Sequence, residues 1–184
     1  IYWLSDNPEV GKTIAGFVAG TYWLLMLVGR LIGASVGSKI SSKVMLSATS
    51  AVGLLLIFLA IFSSTETMVS LPVLQRSALG ALSFGMAEVP INAMFIVLVG
   101  LCTSIMWGSI FNLAVEGLGK YTAAASGIFM VLVCGGGILP AIQGFVADKA
   151  GYISSYWVII IGMAYLLFYA LVGSINKNKE IQTQ

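Results

Sequence analysis

Histidine is absent from this 184-residue chain. Imidazole acid–base chemistry and His-ligated metal sites are therefore excluded. Charge is scarce as well: 9% of residues are Asp, Glu, Lys or Arg, against about 25% in soluble domains. With 59% hydrophobic residues and a mean hydropathy of +1.00, there is too little polar surface to coat a water-soluble globule. The composition therefore reads as an integral membrane protein. Both cysteines, Cys102 and Cys134, sit inside apolar stretches without CxxC spacing. They are expected to be small buried hydrophobes, with no disulfide and no metal site. The nine Lys and Arg residues are scattered, so no basic patch for nucleic acid is expected.

Catalytic sets are missing too. Asp6, Glu9, Glu66, Glu88, Glu116, Asp148 and Glu180 all lie at the ends of apolar stretches or between them. None pairs with another at a spacing suited to acid–base work. No GxSxG, Walker or HExxH pattern occurs, and Gly135-Gly136-Gly137 lies in an apolar stretch and does not cradle phosphate. Neither an enzyme nor a cofactor or metal is expected. No carboxylate lies deep in a span where it could carry a transported proton.

What is present is a series of long apolar runs. Ile1 to Leu4 reads as the tail of a preceding helix, so a fragment of a longer protein is expected. A polar loop, Asp6 to Thr13, follows, with Pro8 and Gly11 as helix breakers. Complete spans are predicted at Ile14 to Val36, Val44 to Phe62, Asn92 to Val115, Ala123 to Val146 and Ser154 to Ile175. The fold class is thus all-α integral membrane, with five complete transmembrane helices plus that tail. Gly16, Gly20, Gly29, Gly33 and Gly37 give the first span two small-xxx-small series that admit a neighbouring helix. Arg30 lies near its end, where its side chain can reach the surface. The second span is almost wholly aliphatic and is read as a peripheral, lipid-facing support. Ser63 to Ile91 is too polar and too interrupted to span. Val69 to Met86 is expected to be an interfacial amphipathic segment or a loop folded over a cavity mouth. In the fourth span, Gly135, Gly136, Gly137 and Pro140 weaken the helix and mark a candidate bending or gating element.

Orientation follows from the basic residues. Arg30, Lys39, Lys43, Lys120, Lys177 and Lys179 fall on one side, and only Lys12, Arg76 and Lys149 on the other. The richer side should be cytoplasmic. That puts the C-terminus inside and the 63–91 segment outside.

The stretch from Asn92 to Val115 carries the functional signal. Thr103, Ser104, Trp107, Gly108 and Asn112 gather on one broad helical face, with Cys102, Ile105, Met106 and Leu113 on the other side. A span facing lipid all round has no use for an amide or an indole N–H. This face should therefore look at protein or at a water-filled cavity. The amides of Asn112 and Gln143 each offer a donor and an acceptor, matching vicinal hydroxyls. Trp107 offers a flat apolar face and one N–H. Together these suit a neutral polar solute. Helix packing alone would also use such residues, as in a non-transporting membrane scaffold.

Here the residues resemble a known family. Gly29-Arg30-Leu31-Ile32-Gly33 followed by Lys39 and Lys43 resembles the loop signature of the major facilitator superfamily in its second half. The stretch from Ser104 through Trp107 and Asn112 to Glu116-Gly117-Leu118-Gly119 is similar to the L-fucose:proton symporter family and its bacterial glucose/galactose permease branch. So are Ser126, Gly135-Gly136-Gly137-Ile138 and Gly144 to Asp148. The resemblance implies a twelve-helix parent in two halves, with residues 1–184 as the C-terminal half: the end of helix seven and helices eight to twelve. It implies a sugar and a coupling proton as partners, the missing N-terminal half of the same protein beside this one, and alternating access in a bacterial inner membrane. Trp107, Asn112, Gln143 and Ser104 would contribute to the sugar site. Gly29, Arg30, Gly33, Lys39, Lys43, Gly135, Gly136, Gly137 and Pro140 would serve gating and packing. The alternatives are a scaffold protein or a permease for another neutral polar solute.

Overall fold

The computed structural model describes residues 8–76, 82–133 and 135–175. The preceding-helix tail Ile1 to Leu4, Cys134, and the polar tail from Asn176 with Lys177 and Lys179 lie outside the described residues. Helix α1 runs Pro8–Gly37 and α2 Ser42–Phe62. Strands β1 (Met68–Arg76) and β2 (Leu82–Pro90) follow, and then α3 (Ile91–Val115). Helices α4 (Thr122–Leu132), α5 (Gly135–Ala150) and α6 (Tyr152–Phe168) complete the series, and a π-turn at Tyr169–Gly173 extends α6. Five helical stretches are long and apolar enough to cross a membrane, with α4 and α5 together counting as one of them.

The helix boundaries have local causes. Proline needs no N–H partner in a first turn and has its φ preset, so Pro8 starts α1 instead of breaking it. The polar loop expected as far as Thr13 is therefore helical from Pro8 onward. Ser41 caps α2, its Oγ accepting from the Val44 N–H at 3.5 Å. Gly151, at φ 89°, lets the chain reverse between α5 and α6 in a conformation that other residues rarely adopt.

Helix α3 is the hub, packing against α1 on one side and α2 on the other, with α6 behind α2 and α5 against α6. The main core joins Leu46 and Ile57 of α2, Cys102 and Met106 of α3, and Ile160 and Met163 of α6. Helix α2 is therefore central, contrary to its reading as a peripheral support. A helix that is apolar all round carries no stripe to reveal which side is packed. Gly53 contributes to this placement: a Cβ there would stand 2.8 Å from the Met163 methyl.

Hydroxyls inside the helices mostly bond back along their own helix. Thr49 Oγ1 donates to the Met45 carbonyl at 2.8 Å, and Ser109 Oγ to the Ile105 carbonyl at 3.1 Å. Ser50 is the exception: it is fully buried and its Oγ has no partner among the described residues. Since a buried unsatisfied group costs about 1–3 kcal/mol, Ser50→Ala should hold or raise stability, by about 1 kcal/mol at most. Thermal unfolding in detergent micelles checks this, and a clear drop in midpoint would show that the hydroxyl has a role.

The 63–91 segment is a two-stranded antiparallel hairpin, pairing Met68 with Pro90 through Arg76 with Leu82. The stretch expected to be an interfacial amphipathic segment or a loop folded over a cavity mouth is thus built as a strand pair. Period-two alternation buries Leu71 and Val73 of β1 and Ala87 and Val89 of β2. They pack on Ile14, Phe17, Val18 and Leu25 of α1 and on Ala93, Met94 and Val97 of α3. The sequence concealed the strands because the outward positions Pro72, Phe84 and Met86 are apolar too, and because Pro72 and Gly85 read as breakers. Pro72 is tolerated because each strand of a two-stranded sheet has an open edge.

Candidate functional site

Glycines bring α1 and α3 close together. A Cβ on Gly29 would overlap Ser104 Oγ and stand 2.9 Å from the Leu101 carbonyl oxygen. A Cβ on Gly33 would meet Ile105 Cγ1 at 3.1 Å, and one on Gly100 would meet the Tyr22 ring at 3.0 Å. Tyr22 Oη and Thr103 Oγ1, 3.3 Å apart, add a polar link between the same two helices. Gly100 was not singled out from the sequence. Its signal was the series Gly100, Ser104, Gly108, small residues four apart on α3. Gly16 and Gly20, although similarly spaced on α1, have nothing within 4 Å of a built Cβ.

Beside this contact lies a cleft of about 510 Å³ between the C-terminal halves of α1 and α3 and the start of α2. Helix α1 supplies Arg30 and Gly33, α2 supplies Ser42 and Met45, and α3 supplies Ser104, Ile105, Trp107, Gly108, Ser109 and Asn112. Of the polar face expected on α3, Ser104, Trp107, Gly108 and Asn112 line the cleft, while Thr103 is turned to Tyr22. Ile105, expected on the opposite side, lines the cleft as well. The curved wall takes in more than one narrow stripe of the helix. Cys102 and Met106 belong to the core on the other side, as expected.

The cleft presents donors and acceptors, with the Arg30 guanidinium among the donors, and its lining has no carboxylate. Asn112 Nδ2 donates to Ser42 Oγ at 3.4 Å, tying α3 to α2. Ser104 Oγ donates to the Leu101 carbonyl at 2.8 Å, leaving its lone pairs for an incoming donor. Trp107 is 45% exposed, and its ring stands edge-on to Phe129 of α4 at 5.6 Å. Among the described residues, neither its indole N–H nor the Arg30 guanidinium has a hydrogen-bond partner. This set can form hydrogen bonds to a polyol and stack on its apolar face.

Other residues named from the sequence lie elsewhere. Gln143 is half-buried on α5 and does not line the cleft. Lys39 is exposed in the turn before α2 and Lys43 is half-buried in its first turn. Among the described residues, neither side chain makes a hydrogen bond or ion pair. Helix α4 ends at Leu132, and α5 runs unbroken from Gly135 through Gly136, Gly137 and Pro140. No described residue of α4 or α5 is buried.

Five apolar helices, with a polar cleft inside the span region, define a multi-pass membrane protein. Comparison with known proteins narrows this. Over 76 residues, 41% of the chain, the sequence is 46% identical to a glucose/galactose transporter of Brucella abortus biovar 1 (strain 9-941), with a match of the same extent in Brucella abortus (strain 2308). A protein of Helicobacter pylori (strain ATCC 700392 / 26695), whose name assigns it the same activity provisionally, is 39% identical over 80 residues. The matched stretch spans 18% of the length of the Brucella proteins and 20% of the Helicobacter protein. No protein-family profile matches the chain. No solved structure matches it. Part of the chain is thus homologous to glucose/galactose transporters, which are not enzymes.

Proposed function

We propose that the chain is the C-terminal part of a sugar permease of the major facilitator superfamily, in the L-fucose:proton symporter family. It would comprise the end of helix seven and helices eight to twelve. The observation that carries this reading is the 46% identity over 76 residues to a glucose/galactose transporter. The substrate is a neutral hexose such as fucose, glucose or galactose, taken up with a proton across a bacterial inner membrane. Transport proceeds by rocking this half against the N-terminal half. The C-terminus is cytoplasmic by the bias of Lys and Arg.

In this reading the sugar lies against the α1–α3 cleft. Trp107 stacks on its C–H face, and Asn112 and Ser104 bond its hydroxyls. Gly29 and Gly33 keep α1 and α3 in register, and Gly135, Gly136, Gly137 and Pro140 let the fourth span bend. The coupling carboxylate belongs to the other half of the permease.

Two measurements on the full-length gene product test the reading. An inward proton gradient should drive galactose or glucose uptake into liposomes, and a protonophore should abolish it. Uptake indifferent to the gradient would remove symport, and no hexose uptake at all would remove the sugar reading. Separately, Trp107→Ala should raise the sugar dissociation constant roughly tenfold, about 1.4 kcal/mol. Isothermal calorimetry reads this, and an unchanged constant would take Trp107 out of the site.

A further inference from the structure

Phe129 of α4 touches two rings of α3 at once. Its centroid lies 5.6 Å from that of Trp107, with the planes at 61°, and 5.4 Å from that of Phe111, with the planes at 77°. Both distances fall in the range of edge-to-face aromatic pairs, about 4.5–7 Å. Trp107 and Phe111 are four residues apart on α3, so they stand one above the other on one side of that helix. The Phe129 ring braces both across a single turn.

The rest of α4 supports this placement. Its half-buried residues are Thr122, Ala125, Ser126 and Phe129, the spacing of one helical face. Ile128 and Met130, on either side of Phe129, are exposed. That face is seated on α3, the helix with which α4 makes its main contact. Phe129 is the one aromatic residue of α4 and its largest side chain.

Trp107 stands between this contact and the cleft. It lines the cleft, and Phe129 does not. With no hydrogen bond to the indole N–H among the described residues, packing alone holds the ring, and from the side of α4 that packing is Phe129. An indole stacks on the C–H face of a ring-shaped solute in one attitude. A ring that samples others binds only in proportion to the time spent in that one.

We propose that Phe129 is a positioning residue for the cleft. From the fourth span it fixes the attitude of the Trp107 indole, braced by Phe111, and so sets solute affinity without touching the solute. The effect on affinity rests on the reading that a sugar lies against Trp107; the holding of the ring does not.

Both parts are tested on the full-length gene product in detergent micelles, with Phe129→Leu and Phe129→Tyr. Galactose and glucose dissociation constants are read by calorimetry. Phe129→Leu should raise them roughly three- to tenfold, the factor by which an aromatic contact favours one ring attitude. Phe129→Tyr, which keeps the ring, should stay within about twofold of the parent. In a Trp107→Ala background Phe129→Leu should add less than about twofold, because its effect runs through the indole. An equal loss in both backgrounds would show a merely structural role and overturn the proposal, as would an unchanged constant in Phe129→Leu alone. The second readout needs no solute. In protein labelled with 5-fluorotryptophan, the fluorine resonance of Trp107 is identified by its loss in Trp107→Phe. It should broaden or split in Phe129→Leu, as the indole samples further attitudes, and stay single and sharp in Phe129→Tyr. A resonance of unchanged width in Phe129→Leu would overturn the holding of the ring. If the parent protein binds no hexose, the sugar reading falls, and the fluorine resonance alone decides whether Phe129 positions Trp107.

Discussion

Replacing Gly29 with leucine is expected to part α1 from α3 and close the cleft between them. Even a single Cβ at this position would overlap Ser104 Oγ and press on the Leu101 carbonyl oxygen at 2.9 Å. The serine hydroxyl can rotate, but the carbonyl belongs to the α3 backbone and cannot yield without moving the helix. Overpacking usually costs about 1–3 kcal/mol, and a four-carbon side chain against backbone belongs at the upper end of that range. For a domain of this size each kcal/mol shifts the melting temperature by roughly 2–4 °C, so a fall of about 6–12 °C should appear in micelles. Gly16→Leu on the same helix is the control, because nothing lies within 4 Å of its built Cβ. Equal melting of the two variants would mean that Gly29 is not a packing point.

Leu46→Ala should be comparably severe. Leu46 is fully buried at the junction of α2 with the main core. Removing a buried leucine side chain costs about 2–5 kcal/mol, through lost contacts and the residual cavity. On the same helix, Leu55 is 59% exposed, and Leu55→Ala should change stability by less than about 0.5 kcal/mol. The pair separates packing from composition, since both substitutions remove the same atoms from the same apolar run. Chemical unfolding of the two variants reads the difference. Similar losses would return α2 to the role of a lipid-facing support.

That contrast shows where sequence reading stops. Along α2 the sequence is aliphatic on every side, and hydropathy separates a membrane span from a soluble helix but not a packed face from a lipid face. On α3 the sequence said more, because Ser104, Trp107 and Asn112 are polar in an apolar run and stand out at helical spacing. They do meet at one cleft. Gln143 shares their chemistry but lies on α5, away from the cleft. Arg30, read from its place near the end of the first span, turns out to line the cleft. Which helix neighbours which is a long-range property, and spacing within one helix is silent on it. The hairpin was hidden for a different reason: with both faces partly apolar, the period-two signal was weak, and Pro72 imitated a break.

By itself the sequence determined the solvent these helices need and which stretches of this chain are long and apolar enough to cross it. Runs of about 20 apolar residues with almost no charge are satisfied only by bilayer-spanning helices, whatever their arrangement. It also determined that imidazole takes no part in the chemistry of this chain and that its carboxylates lie outside the apolar runs. Only the tertiary structure decided that α2 is a core helix and that Gly29, Gly33 and Gly100 weld α1 to α3 while Gly16 and Gly20 do not. It also decided that the 63–91 segment is a docked hairpin. The physical reason is the same in each case. In an apolar solvent, association depends on close van der Waals fit between particular surfaces, and that fit exists only once the helices are placed against one another.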